Sequence, residues 1–466
     1  MKIGLIGPSY MQRSLPFDAQ RTINLIPISD KDGADVSSLL GTPGLSLFAT
    51  CGSGPIRGGK DCANGRAFFV SGATLYEVSS AGAVTSRGTL NTSLGQVTFA
   101  DNGLQLGICD KEDAYILTYA TNAFTQITDP DFPSSVGGID FIDNYFVVNE
   151  NNTGKFFISA LANGLSWDPL DFATAESSPD NLNKAINFVG QLGLLGGSTL
   201  EIWRNTGDSD FPFARISGST PIGTISPDTV ISIDTSIYWV GNNSQGGGVV
   251  YKAQGFTPVR ISTDTIERLL QSAPNPETLY AWTYQQDGHA YMVISGGGLE
   301  TSPTFDLSTQ LWHERAYLNG SGALEPHLGS CSIFIFGKHL VGSRINGSIY
   351  EMSLDVYSDN GSPIQRKRVY THLIDELNQV RYSELRIGFE TGVGLQNGDG
   401  SDPQVSLRIS KDGARTWSSY YTTGIGAAGQ YRKEVTFRRL GIQQQCTFEI
   451  TVSGPHKVAI TGSYLK

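Results

Sequence analysis

Residue types that could carry chemistry are few and widely spaced in this sequence. His313 and Glu314 stand side by side after Trp312 and have the makings of an acid/base pair. Neighbours on a strand point to opposite faces, however, so the two cannot converge on one substrate atom. DKDGAD places Asp30, Asp32 and Asp35, and NGDGSD places Asp399 and Asp402, in stretches that hint at calcium loops. Their Gly positions and the missing bidentate Glu fit poorly, and solvated turns are the expectation. GGGVV (246–250) and GVGLQNGDG (392–400) are followed by no Lys-Ser/Thr, which makes them turns and not phosphate cradles. Cys51, Cys62, Cys109, Cys331 and Cys446 are odd in number, with no CxxC pair and no clustered His. They read as reduced thiols of a protein assembled in a cytoplasm, neither a disulfide framework nor a zinc site. The sequence assigns no catalytic, metal or cofactor-binding residue.

The sharpest motif is SKDGARTW (410–417). Ser410, Asp412, Thr416 and Trp417 fall in the register of the Asp-box hairpin, Ser-x-Asp-x-Gly-x-Thr-Trp, of sialidases and related propeller proteins, with Ala414 in place of its Gly. A sialidase would also need an arginine cluster, a Tyr activated by a Glu, and an acid at a propeller hub, usually with several boxes in the blades. This lone box lies outside the repeats described next and is expected to be a turn device.

The elements that would position any site are strands. With 55 Gly, 20 Pro and few runs of helix formers among 466 residues, the chain reads as many short strands joined by turns. From about residue 57 to 355 an apolar strand, a turn and a second strand with an aromatic recur every 40 to 50 residues or so. The clearest copy is GRAFFVSGATLYEV (65–78); others are 236–253, 333–352 and, more loosely, 188–203. Tyr76, Tyr251, Tyr350 and Trp203 take equivalent places and should pack between neighbouring sheets. Phe124 and Trp312 lie on outer strands and should pack one blade on the next. Units of this period stack radially, which predicts a β-propeller of about six or seven blades, with stacked sandwiches as the alternative. STDTIERLLQSAP (262–274) predicts a connector helix with a capping box from Asp264 and Glu267.

After about residue 356 the period breaks and alternating strands predict a C-terminal β-sandwich-like domain. The expected division is an N-terminal arm and entry (1–56), the propeller (57–355) and the sandwich (356–466), in an all-β chain. Its basic residues Arg366, Lys367, Arg368, Arg432, Lys433, Arg438 and Arg439 are the candidate interface. The net charge of −11 argues against DNA binding driven by phosphate attraction. No stretch approaches the roughly 20 apolar residues of a membrane span, and the first residues do not read as a signal peptide.

Several stretches together resemble the packaged-DNA stabilisation family, the tail hub or nozzle proteins of short-tailed bacteriophages. The most specific is GGSTLEIWRNTG (196–207). Arg21, Asn24 and Pro27 in RTINLIP, Thr42 to Leu45, Arg57-Gly58, and Gly72 with Leu75 and Tyr76 fit its N-terminal part. STDTIE (262–267) fits its connector helix, and ETGVG (390–394), LRISKDG (407–413) and FRRLG (437–441) fit its C-terminal domain; residues 130 to 185 match poorly.

The resemblance implies a structural virion protein without cofactors, assembled in the host cytoplasm. It would form a hexameric ring below the head-to-tail adaptor, extend the DNA channel, carry tail fibres or tailspikes and a needle or plug, and help retain the genome. Its surplus acids are expected to line the channel and let duplex DNA slide past without sequence-specific binding. The competing reading is a glycan-binding or glycan-hydrolysing propeller, which would show exposed aromatics with convergent carboxylates at one face.

Overall fold

The middle strands of the repeats, AFFVS (67–71), QLGLLG (191–196) and HAYMVISG (289–296), carry near-continuous apolar runs. Such a run suits a strand covered on both faces, because successive side chains point opposite ways. The computed structural model, which describes residues 7, 9–11, 19–29, 36–175, 178–243, 246–376 and 378–466, shows how both faces are covered.

Among the described residues seven blade sheets follow one another round a ring, the first six with their four principal strands in sequence order. Blade one spans 56–89, two 98–126, three 136–174, four 182–220, five 223–260, six 279–318 and seven 329–353. Blade five has a broken inner strand, Gly223–Thr224 and Ile231–Ile233. Blade seven takes its fourth strand, Gly44–Thr50, from near the N-terminus, with Gly44 opposite Ser353.

Seven apolar cores lie between successive blades. Leu75 meets Leu106, Ile116 meets Val148, Phe156 meets Leu194, and Leu195 meets Trp239. Val250 meets Met292, Val293 meets Val341, and Leu340 meets Phe69 of blade one, which closes the circle. Adjacent residues such as Leu194 and Leu195 therefore serve different cores, each side chain contributing about 1.5–3 kcal/mol when fully buried. The expected six or seven blades resolve to seven.

Tyr76, Trp203, Tyr251 and Tyr350 all sit on the third strand of their blades and pack toward the preceding blade. Tyr350 and Trp203 are 2% and 9% exposed, whereas Tyr76 and Tyr251 are half-buried. Phe124 stacks on Tyr115 and lies so close to Gly88 of blade one that a Cβ there would meet its ring at 2.1 Å. Trp312 donates from Nε1 to the Ile261 carbonyl beside blade five at 2.9 Å.

The helix α1, Asp264–Gln271, links blades five and six. The expected capping box does not form: the N-cap is Thr263, which makes no side-chain cap bond. Glu267 instead accepts from Ser262 Oγ and Arg260, tying the first turn of the helix to the end of blade five.

The eighth core belongs to the sandwich and contains Leu25 and Leu39 beside Leu385, Leu407, Phe448 and Ile460. One sheet runs 25–29, 36–41, 459–465, 380–389, 435–443 in spatial order. The other begins with Ala19–Ile23 and continues through 366–369, 445–452, 404–410 and 421–424. Ala19–Ile23 also pairs in parallel with the outer strand of blade six, Ile23 opposite Glu314, so blade six and this sheet form one continuous ladder. The sandwich thus projects outward from blade six, and sheets join strands from either side of residues 56 and 356.

Candidate assembly surfaces

The basic run Arg366-Lys367-Arg368 lies on a strand in the middle of that ladder. Strand alternation sends Arg366 and Arg368 to one side, and both are buried. Arg368 donates to Thr22 Oγ1 at 2.7 Å and to Gln20, while Arg366 donates to the Gly454 carbonyl at 3.2 Å. Lys367, on the other side, lies 3.8 Å from Glu449, which also receives Arg408. In place of the expected exposed interface, Arg366 and Arg368 face neighbours within the chain, because their strand lies inside the sheet between Ala19–Ile23 and 445–452.

The same seam explains RTIN. Arg21 holds Glu314 through two hydrogen bonds, and Glu314 also accepts from Ser9 at 3.0 Å and Thr301 at 2.8 Å. Burial alone would raise the Glu314 carboxyl, but Arg21 and these hydroxyls outweigh it and hold it below the usual range. Asn24, at φ 54°, exchanges hydrogen bonds with the Ala316 backbone and donates to the Gln365 carbonyl. His313, on the opposite face of that strand, packs edge-on against Tyr291, and burial pushes its pKa down to about 3. The adjacent pair does diverge.

SKDGARTW is a hairpin tied by Asp412. Its carboxylate accepts from Ser410 Oγ, the Arg415 and Thr416 amides and Thr416 Oγ1, which holds it well below the usual carboxylate range. Ala414 sits at φ 67°, the left-handed conformation that suits the motif's Gly. Trp417 lies under the Arg408 guanidinium, 5.2 Å from ring to carbon. Burial raises the Cys51, Cys109 and Cys446 thiols to about 12 and those of Cys62 and Cys331 to about 11, far from a nucleophilic thiolate. Among the described residues no three His, Cys, Asp or Glu side chains group as metal ligands. The Asp30, Asp32 and Asp35 stretch lies outside the described residues.

The propeller axis holds a cavity of about 350 Å³ lined by residues of six blades, among them Gly58, Thr98, Lys184, Asp228, Thr283 and Ser332. Lys111, on a hairpin of blade two, pairs with Asp228 of blade five and so spans one end of the axis. Lys184 of blade four is pushed down by burial, opposed by Asp140 and Asp228.

Arg432, Lys433, Arg438 and Arg439 are all exposed, along strand 435–443 and its lead-in. A bulge matters here: Tyr382 pairs with Gly441 but Glu384 with Arg438, leaving one extra residue on the Arg strand. Arg439 takes φ 61°, and the bulge turns it outward beside Arg438 instead of into the core. A groove of about 580 Å³ gathers Arg438 and Arg439 with Arg381, Ile442 and Lys466 around Glu384. Glu384 pairs with Arg386 and lies 3.4 Å from Arg438, which leaves the groove with a surplus of positive charge. The sequence reading missed Arg381, Arg386 and Lys466; the outward positions of RYSELRIGF were the available signal.

The N-terminal region, residues 1–357, matches the family model described as bacteriophage P22 Gp10, beta-propeller, and residues 366–466 match the one described as bacteriophage P22 Gp10, beta-sandwich. The chain belongs to the P22 Gp10 family. That family is the phage packaged-DNA stabilisation or tail hub family, so this chain is a member of a family of structural tail proteins. Curated protein sequences include no match. Solved structures similar to this P22 Gp10 family member include the extracellular domain of a one-component system from B. thetaiotaomicron, at 9% identity and TM-score 0.45, covering 81% of this chain and 47% of that one. Another is a catalytically inactive virginiamycin B lyase from Staphylococcus aureus with quinupristin, at 9% identity and TM-score 0.44, covering 71% and 98%. The WD40 propeller domain of Doa1 follows at 11% identity and TM-score 0.40, covering 66% and 96%. The chain thus spans about half the length of the first of these. Scores this low leave the blade count to the chain's own topology. Among the described residues no helix is long and apolar enough to cross a membrane.

Proposed function

We propose that this P22 Gp10 family member is a non-catalytic tail hub subunit that assembles as a ring of about six copies below the head-to-tail adaptor. The ring extends the DNA channel, helps retain the packaged genome, and offers attachment for fibres or tailspikes and a needle or plug. The observation that carries this is the match of both family regions, in order, across 1–357 and 366–466. The closed propeller axis supports a conduit between copies: a duplex whose major groove alone is about 12 Å wide has no passage through a cavity crossed by the Lys111–Asp228 pair. In the working division the propeller comprises 44–353, and the strands 19–29 and 36–41 join 366–466 in the sandwich.

The excess of acids favours sliding DNA over gripped DNA. Images of purified protein or tails should show a ring of about six copies, and duplex DNA should bind negligibly at physiological salt. A stable monomer in tails, or a salt-resistant duplex complex of micromolar affinity or tighter, would overturn the reading. One observation favours the glycan alternative: a pocket at one mouth of the propeller sets exposed Phe334 beside Asp61, Asp287 and His339. Saturable binding of a simple hexose there, lost in Phe334→Ala, would revive it.

A further inference from the structure

The sandwich leaves the propeller at blade six, and its strand 435–443 is the edge of its sheet farthest from residues 25–29, which lie next to blade six. Blade three is three blades from blade six in one direction and four in the other, the greatest separation in a ring of seven. The molecule therefore has two ends, and the surfaces at those ends are opposite in character.

At the sandwich end, Arg438 and Arg439 stand beside Ile442, which is 57% exposed. At the other end, blade three's outer strand, NGLSWDPLDFAT (163–174), contains two acids and no basic residue. Asp168 is exposed, and Asp171 follows three residues later on the same outer strand. Leu170 between them is 78% exposed. Pro169 and the register shifts of this strand suit a sheet edge that must not pair by its backbone. Each end thus combines an apolar side chain with surplus charge, and the two charges are opposite.

Resting on the ring reading above, we propose that these two surfaces bind each other between copies of this chain. The edge strand 435–443 of one copy meets the outer strand 163–174 of the next, with Arg438 and Arg439 facing Asp168 and Asp171 and with Ile442 against Leu170. A contact between two different surfaces repeats head to tail and closes into a ring when the rotation between copies allows. Opposed charges fix which surfaces meet and in what register. The bulge at Arg439 is then a device for presenting two adjacent cations from one edge.

The test uses full-length chain assembled into tails. Leu170→Cys with Ile442→Cys should give, under oxidation, a ladder of covalent multimers ending at the ring, and a mixture of the two single variants should give dimers. The two positions lie at opposite ends of one chain, so a ladder reports contact between copies. Charge reversal of Arg438 and Arg439 to Glu should lower ring yield by about tenfold or more, and adding Asp168→Arg with Asp171→Arg should restore it to within about twofold. Intact rings that form no cross-link and tolerate reversal would overturn this contact while leaving the tail-hub reading in place. Wild-type tails without a ring would overturn both.

Discussion

Two groups of arginines on the sandwich have opposite fates. Arg366 and Arg368 are buried in the ladder to blade six, held by Thr22, Gln20 and Gly454. Arg438 and Arg439, at the far edge, are exposed around the single Glu384. Residue type is the same and sequence context is similar, so the difference lies in what flanks the strand. The first group lies inside its sheet, between a strand from the N-terminus and strand 445–452; the second forms the margin of its sheet and carries a bulge. The cation that ties the two domains is Arg21 on Glu314 of blade six, while Arg438 and Arg439 stand exposed and available to a partner.

The largest expected effect breaks the inner side of this comparison. Arg21→Ala leaves Glu314 buried without its cation and should destabilise the protein by about 3–5 kcal/mol in chemical denaturation. Near-wild-type stability would show that the seam does not hold the domains together.

Acid should act on the same side. His313 has its folded pKa pushed down to about 3, and His327, whose Nδ1 accepts from Gly329, lies well below its usual value, both chiefly through burial. A depressed folded pKa means stability present above the unfolded value near 6.5 and lost as pH falls below it. His313 should then cost about 1.4 kcal/mol per pH unit between about pH 6 and 4, and His327 should add to the loss in the same direction. Thermal melts across that range should show the loss, and His313→Gln should reduce its slope.

The outer side predicts a gain. Arg439→Gly relieves a left-handed backbone and should stabilise the isolated chain by about 1 kcal/mol while weakening ring formation. Ala414→Gly should give a similar gain with no effect on assembly, which makes it the control. The smallest effect belongs to Arg438→Ala, within about 0.5 kcal/mol of wild type in stability. A larger loss would mean that its contact with Glu384 matters to the fold.

Much of the propeller was legible because a middle strand with apolar residues at every position can only be covered on both sides. The third-strand aromatics, the outer-strand Phe124 and Trp312, and the Asp412 turn followed from local pattern. The blade-seven strand at 44–50 and the sandwich strands at 19–29 and 36–41 were not legible, since pairing across some 300 residues leaves no mark on local periodicity. For that reason Arg366 and Arg368 read as surface charge. The acidic edge at Asp168 and Asp171 fell in the stretch whose family pattern was weakest, where Pro169 beside charge was the remaining clue.

The strand Gly44–Thr50 has a consequence for how the protein is made. It emerges early in synthesis, yet its partner strand ends at Ser353, and Leu39 waits for Ile460. Blade one must stay open to blade seven until Ser353 has been made, and Leu39 and Leu40 must remain without their partners until residues 459–460 have been made. Contacts of such long range fold slowly and leave strand edges exposed meanwhile. The propeller can therefore close before the sandwich does, and a copy truncated before residue 459 lacks the strand that joins 36–41 to the rest of its sheet.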